Sequence, residues 1–332
     1  MVMTNGTPHG QPHPDGRGGA GSTISYELDG NVGGTIFLED GAEGAAGTNS
    51  GGTAAGAGGA AGTVTLLLDS ATVTGATTVG NDGDGTITTK TAAVQFLNNI
   101  GTSSKALGMM DVDIDTTFDK NVYADAFVVG AVGLVFTGTS EQVVSGPITG
   151  TGDMDVQADA IVNMTSTSAS AVTTLTLAAD ADTKLTLNGG LTIIADTGLT
   201  IGANSPTIVL GSGIVDGETV ITATHCSGLD IAAALTLQMP ASFNSGTITF
   251  CEDCTKVAVS TAAGRITVTD GALATYSTVV ATNAINILAV KKSSTSIAAA
   301  LGVSESAAKG LDASITAAAG DAAVAELMNA IL

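Results

Sequence analysis

Aromatic residues are scarce in this chain, which has seven Phe, three Tyr and no Trp among 332 residues. The hydrophobic residues, 44% of the total, are therefore mainly Ala, Val, Ile and Leu. Large aromatic side chains dominate the packing of thick globular cores. Small branched side chains instead suit a narrow core built from stacked layers, and we expect an interior of that kind.

Positive charge is also scarce. Ten Lys and Arg stand against 31 Asp and Glu, so the formal net charge is -21. Nucleic acids and anionic membranes bind basic surfaces, so neither is an expected partner. Charged residues make up only 12% of the chain, whereas disordered chains combine low hydrophobicity with high charge. The longest apolar run, residues 126–136, is shorter than the ~20 residues of a membrane-spanning helix.

Cysteine is too rare for a disulfide framework, since only Cys226, Cys251 and Cys254 are present. Cys251 and Cys254 form a Cys-x-x-Cys motif, and His225 precedes Cys226. A disulfide within this set, unpaired thiols and a four-ligand zinc site all remain open at this stage. Adjacent strand residues such as His225 and Cys226 face opposite sides, which disfavours zinc.

Short β-branched runs fill the chain from Thr63 to Val268, separated by Gly, Asn and Asp. Val, Ile and Thr favour extended backbone because branching at Cβ restricts χ1. Four runs begin close to every eight residues, so three strands give a period near 23 or 24 residues. This spacing predicts an all-β fold, a parallel β-solenoid (β-helix), with β-sandwich domains as the alternative. The four runs are Lys184–Leu187, Leu191–Ile194, Leu199–Ile201 and Thr207–Leu210.

The flanking segments have a different composition. Residues 1–22, rich in Pro and Gly, are expected to be a flexible arm, and residues 23–62 to hold short strands and a Gly/Ala-rich linker. The solenoid is expected over residues 63–290. Residues 291–332 are expected to be helical, with a cap near Ser293, a stop at Gly310 and a second helix from Asp321 to Leu332. This last region would cap the solenoid or serve assembly or export.

Acidic side chains give the best candidates for an ionic site. Closely spaced Asp and Asn oxygens with intervening Gly can wrap Ca²⁺, and three carboxylates two residues apart would share one face of a strand. The alternative is a solvated turn or surface. Asp153/Asp155 and Asp180/Asp182 repeat the two-apart spacing. The calcium candidates are Asn81, Asp82, Asp84, Asp111, Asp113 and Asp115, and no other cofactor is expected.

An enzymatic function is not expected. A Ser/His/Asp triad cannot be built, because His225 is the only His outside the N-terminal arm. Paired carboxylates also hydrolyse glycosides, but sugar sites usually include aromatic platforms, which this chain has few residues to supply. A polysaccharide-active solenoid enzyme is therefore only a third hypothesis.

The segments Val143–Gly152 and Leu185–Ile193 resemble passenger domains of bacterial autotransporters and also bacterial surface-layer proteins, which are Gly/Thr/Ala-rich, acidic and Cys-poor. The C-terminus, ending in Ala330-Ile331-Leu332, is similar to signals of one-step bacterial secretion. The resemblance implies a non-enzymatic structural protein, secreted to the bacterial cell surface, that self-associates as a surface layer (S-layer), filament or matrix subunit. The alternative is an adhesin that binds a cell-surface glycan or host protein.

Overall fold

The structure is a computed structural model that describes residues 2–4, 24–41, 63–69, 72–195, 198–223, 234–240, 242–252 and 263–317. The described residues form an all-β fold with several parallel sheets and two short helices, as the sequence predicts. The chain divides into two compact units, Met1–Gly152 and Asp153–Leu332. The Cys226, Cys254 and Asp321–Leu332 predictions and most of the linker lie outside the described residues.

Every strand pair described within the first unit is parallel. Val2–Thr4, at the start of the expected flexible arm, form a strand that pairs with Phe37–Glu39. The first sheet holds β1 (Val2–Thr4), β3 (Ile36–Glu39) and β6 (Thr77–Val79), and single bridges at Ile100 and Val122 connect Thr77 with β13 (Gln142–Val144); the second holds β2 (Ile24–Asp29), β4 (Val64–Asp69), β7 (Asp84–Lys90), β9 (Leu107–Val112), β11 (Phe127–Val129) and β14 (Ile148–Gly150); the third holds β5 (Thr72–Val73), β8 (Val94–Phe96), β10 (Thr116–Phe118) and β12 (Gly133–Phe136).

The second unit also contains three sheets, whose described strand pairs are parallel except where β28 is one of the two strands. Their strands are β15 (Asp153–Val156), β18 (Leu175–Leu177) and β21 (Leu199–Ile201); β16 (Ile161–Met164), β19 (Lys184–Leu187), β22 (Thr207–Leu210), β24 (Leu235–Gln238) and β26 (Ile266–Thr269); and β17 (Ser170–Val172), β20 (Leu191–Ile193), β23 (Thr219–Ala223), β25 (Gly246–Glu252), β28 (Ile285–Lys291) and β27 (Ala274–Val280).

The chain visits the three sheets of the second unit in rotation from β15 to β23, one strand at a time. Ile161 pairs with Lys184, and Lys184 pairs with Thr207, a step of 23 residues each time. This is the period that the spacing of the β-branched runs predicts. Later steps are longer, because loops of different length separate the strands. The parallel pairing differs from the antiparallel pairing typical of a β-sandwich.

The interior is lined by alternate residues of each strand, as the buried–exposed alternation along the short strands shows. Val, Ile and Leu supply most of it, as expected, but the first unit also contains an aromatic stack. Phe96, Phe118 and Phe136 lie in register on β8, β10 and β12, with ring centroids 5.5 and 5.7 Å apart. All three are fully buried, so the few aromatic residues are concentrated in the core.

Asn side chains bind backbone groups between successive parallel segments of the first unit. Asn99 Oδ1 accepts a hydrogen bond from the N–H of Asn121 at 3.2 Å. Asn121 Oδ1 in turn accepts one from the N–H of Val143 at 2.8 Å. Each bond satisfies a backbone donor next to a strand, where the sheet ladder is interrupted. Asn therefore fixes the spacing of these turns, a role that the sequence analysis gave only to Gly.

The C-terminal part of the described chain is an antiparallel hairpin followed by two helices. Helix α1 (Ser294–Leu301) begins at the predicted cap, where Ser293 accepts a hydrogen bond from the N–H of Ser296. Helix α2 (Glu305–Ala317) continues through Gly310, so the predicted stop there is wrong. Both helices pack on Leu273 through Ile297, Ala298 and Ala308. The capping role of this region stays a prediction.

Candidate functional site

The first calcium candidate, Asn81–Gly85, is a turn that leads into β7. Asp84 is almost fully buried, and its Oδ2 accepts hydrogen bonds from the backbone N–H of Asn81 at 2.7 Å and from its Nδ2 at 3.0 Å. Gly83 and Gly85 take positive φ angles of 81° and 77°, which favour glycine. The oxygens of Asp84 thus close the turn on itself.

Asp82 belongs to the same turn but interacts with a later segment. Its Oδ1 accepts a hydrogen bond from the N–H of Ala106 at 2.8 Å. Burial, together with the nearby Asp82, raises the pKa of Asp125. Asp125 was missed by the sequence analysis, because no acidic residue adjoins it along the chain. Asp82 and Asp125 therefore form a pair of interacting carboxylates that comes from two separate segments.

The second candidate group, Asp111, Asp113 and Asp115, does not lie on one strand. Strand β9 ends at Val112, and residues 113–114 form a bend. Asp115 is engaged separately, because its Oδ1 accepts a hydrogen bond from the N–H of Gly133 at 2.8 Å. The shared strand face expected for these three carboxylates is therefore limited to residues before the bend.

Asp111 and Asp113 still interact electrostatically. Burial, followed by the charge of Asp113, raises the pKa of Asp111, and the hydrogen bond from Thr88 and the charge of Lys90 act in the opposite direction. Two carboxylates that repel each other favour a proton or a cation between them. Thr88 Oγ1 lies 3.3 Å from Asp111 Oδ2, so one oxygen already has a donor.

A third acidic group brings three carboxylates closer together than either candidate does. One oxygen from each of Asp159, Asp180 and Asp182 lies within 4.8 Å of the other two. Asp180 and Asp182 show the two-apart spacing, and Asp159 joins them because the turns before β16 and β19 are adjacent when those strands pair. Such oxygens are the ligands that Ca²⁺ prefers, although Asp180 Oδ1 also accepts the N–H of Asp182 at 2.7 Å.

The described cysteine, Cys251, is fully buried on β25 and is disulfide-bonded. Its strand lies parallel to β23, with Cys251 opposite Ile221. Cys226 and Cys254, the other members of the predicted set, lie outside the described residues. The bond holds the third sheet of the second unit beside the antiparallel hairpin.

That hairpin, β27 and β28 with residues 281–284 between them, is the terminal hairpin. It pairs in register from Ala274 with Lys291 to Val280 with Ile285. Strand β28 also pairs with β25, whereas β28 is the only described strand that pairs with β27. Val279, Val280 and Val290 are 42%, 47% and 53% exposed, so the hairpin presents apolar side chains to solvent.

Comparison of the chain with protein-family models, curated proteins and solved structures found no match. Among the described residues, no helix is both long and apolar enough to cross a membrane. The function is therefore argued from the sheets, carboxylates and terminal hairpin themselves.

Proposed function

We propose that this chain is a non-enzymatic, extracellular structural protein that self-associates, as a surface-layer, filament or matrix subunit. We further propose that the parallel sheets of each unit wind as a β-solenoid. The observation that carries the proposal is the in-register repetition of short parallel strands, with the chain returning to the same sheet after about two dozen residues. Stacked repeats of this kind offer extended, regular surfaces to a neighbour.

The outward faces of these sheets favour side-by-side packing. One row on the second sheet of the second unit runs through Lys184, Thr207, Thr236 and Thr267, which are opposite one another on neighbouring strands. Three of the four are small, uncharged Thr side chains. Small side chains in register leave a level surface, which a second subunit can approach at many points.

The disulfide at Cys251 supports a location outside the cytoplasm, because disulfides persist mainly in oxidising compartments. Calcium stabilisation is part of the proposal, with Asp159, Asp180 and Asp182 as the tightest group of carboxylates. Calcium would offset repulsion on a chain of net charge -21.

The test is sedimentation of the purified chain across the micromolar range, with electron microscopy of the same samples, in calcium and in chelator. We expect concentration-dependent association and ordered assemblies, both more extensive in calcium. A chain that remains monomeric in both buffers and binds a glycan or host protein would favour the adhesin alternative. Turnover of a polysaccharide would overturn the non-enzymatic part of the proposal.

A further inference from the structure

The free edge of β27 can be located from its hydrogen bonds. The N–H of Lys292 donates to the carbonyl of Leu273 at 2.8 Å, and the N–H of Ala281 donates to that of Ala284 at 2.9 Å. In an antiparallel ladder, hydrogen-bonded and non-hydrogen-bonded pairs alternate. The odd-numbered residues of β27 therefore bond to β28, and the N–H and C=O groups of the even-numbered residues point away from it.

One of these outward groups already has a partner. The N–H of Tyr276 donates to Asp270 Oδ1 at 2.9 Å, as the alternation requires. Ala274, before it, is fully buried. The accessible part of the edge is therefore its C-terminal half, which includes the outward groups of Thr278 and Val280. Among the described residues, this half of β27 has no strand on its outer side.

Charge distinguishes this edge from most of the chain. Residues 271–290 contain no Asp, Glu, Lys or Arg, whereas the whole chain has a net charge of -21. Two copies of such an acidic protein repel each other, and they can approach most closely where charge is absent. Exposed edge strands without charged side chains readily pair with another strand.

We propose that this edge pairs with the same edge of a second copy of the chain, antiparallel and centred on Val279. The inference rests on the proposed self-association and names the contact. Thr278 of one copy would lie opposite Val280 of the other, with their outward N–H and C=O groups exchanging hydrogen bonds. The two Val279 side chains would meet on the outer face, a β-branched cross-strand pair. Such a contact is isologous, because each copy supplies the same surface.

Asp270 sets where the pairing ends. Because its carboxylate accepts the N–H of Tyr276, the paired segment does not extend towards the buried Ala274. A strand of the N-terminal segment is the other occupant to consider, but Val2–Thr4 already pair with β3. The contact is small, so we expect it to be weak as a single pair and effective when many copies assemble.

The test compares two single substitutions on the edge with a matched substitution off it. Val280→Lys places a charge on the edge, and Thr278→Pro removes an outward N–H, which an edge strand tolerates. The control, Val290→Lys, adds the same charge at a residue of similar exposure on β28, whose two sides are both paired. Circular dichroism melting checks folding, and if Thr278→Pro does not fold, Val280→Lys carries the test.

Sedimentation equilibrium across the micromolar range is the measurement. We expect Val280→Lys and Thr278→Pro to weaken association by about tenfold or more, and Val290→Lys to change it little. If the wild-type chain associates and all three variants match it, or all three weaken equally, the edge contact is wrong while self-association stands. If deletion of residues 1–22 abolishes association, the arm is the occupant instead. A wild-type chain that is monomeric throughout would overturn both the proposed function and this inference.

Discussion

Single side chains in the core determine how tightly successive strands of the first unit stack. Phe118 is the middle ring of three, with Phe96 on one side at 5.5 Å and Phe136 on the other at 5.7 Å. Offset aromatic pairs of this kind add about 0.5–1.5 kcal/mol each beyond the burial of their area. Phe118 therefore contributes both volume and ring contacts to two neighbours.

We predict that Phe118→Ala lowers the free energy of unfolding by about 3–5 kcal/mol, the usual cost of removing a buried Phe. Phe118→Leu keeps most of the volume and should cost clearly less. Urea unfolding followed by circular dichroism measures both variants. If Phe118→Ala costs no more than Phe118→Leu, the ring stack does not support the core as described.

Asp111 allows a prediction about pH. Its pKa is raised in the folded protein by burial and by Asp113, so folding favours the protonated form. The carboxylate therefore destabilises the fold above its folded pKa, and the penalty disappears as the pH falls below the pKa of the unfolded chain. Asp111→Asn should raise the melting temperature at neutral pH and have no such effect in acid.

The exposed strand residue Asp153 supplies the matched control, Asp153→Asn. Calorimetric melts from neutral to acidic pH, in chelator, separate the two variants. Adding calcium gives a second reading, because a cation bound at Asp111 would make Asp111→Asn lose calcium-induced stabilisation. Equal melting shifts for both variants at every pH would contradict a specific interaction at Asp111.

Local signals of the sequence predicted local structure well. The cap at Ser293 was predicted because a cap depends on residues within one turn, and the structure confirms it. Asp159 was not associated with Asp180 and Asp182, because their proximity depends on the register of β16 and β19. The Phe stack could have been found from the spacing of Phe96, Phe118 and Phe136, which is close to the strand period.

Helix α2 shows how a glycine can be misinterpreted at the level of an element. Gly310 lies within the helix, is exposed, and has no heavy atom within 4 Å of the position that a Cβ would take. Gly302, which follows α1, has an equally open Cβ position but a φ of +66°. Only the backbone conformation separates a helix-ending glycine from one in a helix interior, and composition does not reveal it.

We predict opposite effects for the two Gly→Ala changes. Gly310→Ala should stabilise the protein by about 0.5–1 kcal/mol, because glycine inside a helix loses more entropy on folding than alanine. Gly302→Ala should destabilise it by about 1–2 kcal/mol, because alanine is strained at positive φ. Chemical denaturation measures both. The same sign for both variants would contradict the helix boundaries described for α1 and α2.

The hairpin after β26 was not predicted as separate strands, although Thr275, Tyr276, Thr278, Val279 and Val280 form a β-branched and aromatic run. Parallel and antiparallel partners favour the same residue types, so composition could place a strand here but not its direction. The change of direction leaves β27 with one described strand partner, β28. The edge contact proposed above depends on this feature.

At the scale of the whole molecule, composition predicted the all-β fold, because Thr, Val and Ile recur in short runs along the chain. It did not predict the division into two units after Gly152, since the runs continue through that point without a change in texture. The period was readable from residues 184–207, where the loops are uniform. Where the loops are longer, as between Ile221 and its partner Cys251, the period is lost from the sequence and only the pairing preserves it.

The net charge of -21 gives a prediction for the whole protein. Repulsion among many acidic groups opposes both compact folding and the approach of a second copy. Salt screens it, because the Debye length falls from about 30 Å at 0.01 M to about 3 Å at 1 M ionic strength. An uncharged contact such as the β27 edge gains from this screening, whereas a contact made of ion pairs loses by it.

We therefore predict that raising sodium chloride at fixed pH, in chelator, increases the melting temperature and strengthens self-association. Sedimentation at several salt concentrations measures the association, and calcium added at matched ionic strength separates specific binding from screening. Val280→Lys should still associate weakly at high salt, because its defect lies in the edge contact and not in net repulsion. Association that weakens as salt rises would mean that charged side chains form the contact, and the uncharged edge would then be the wrong surface.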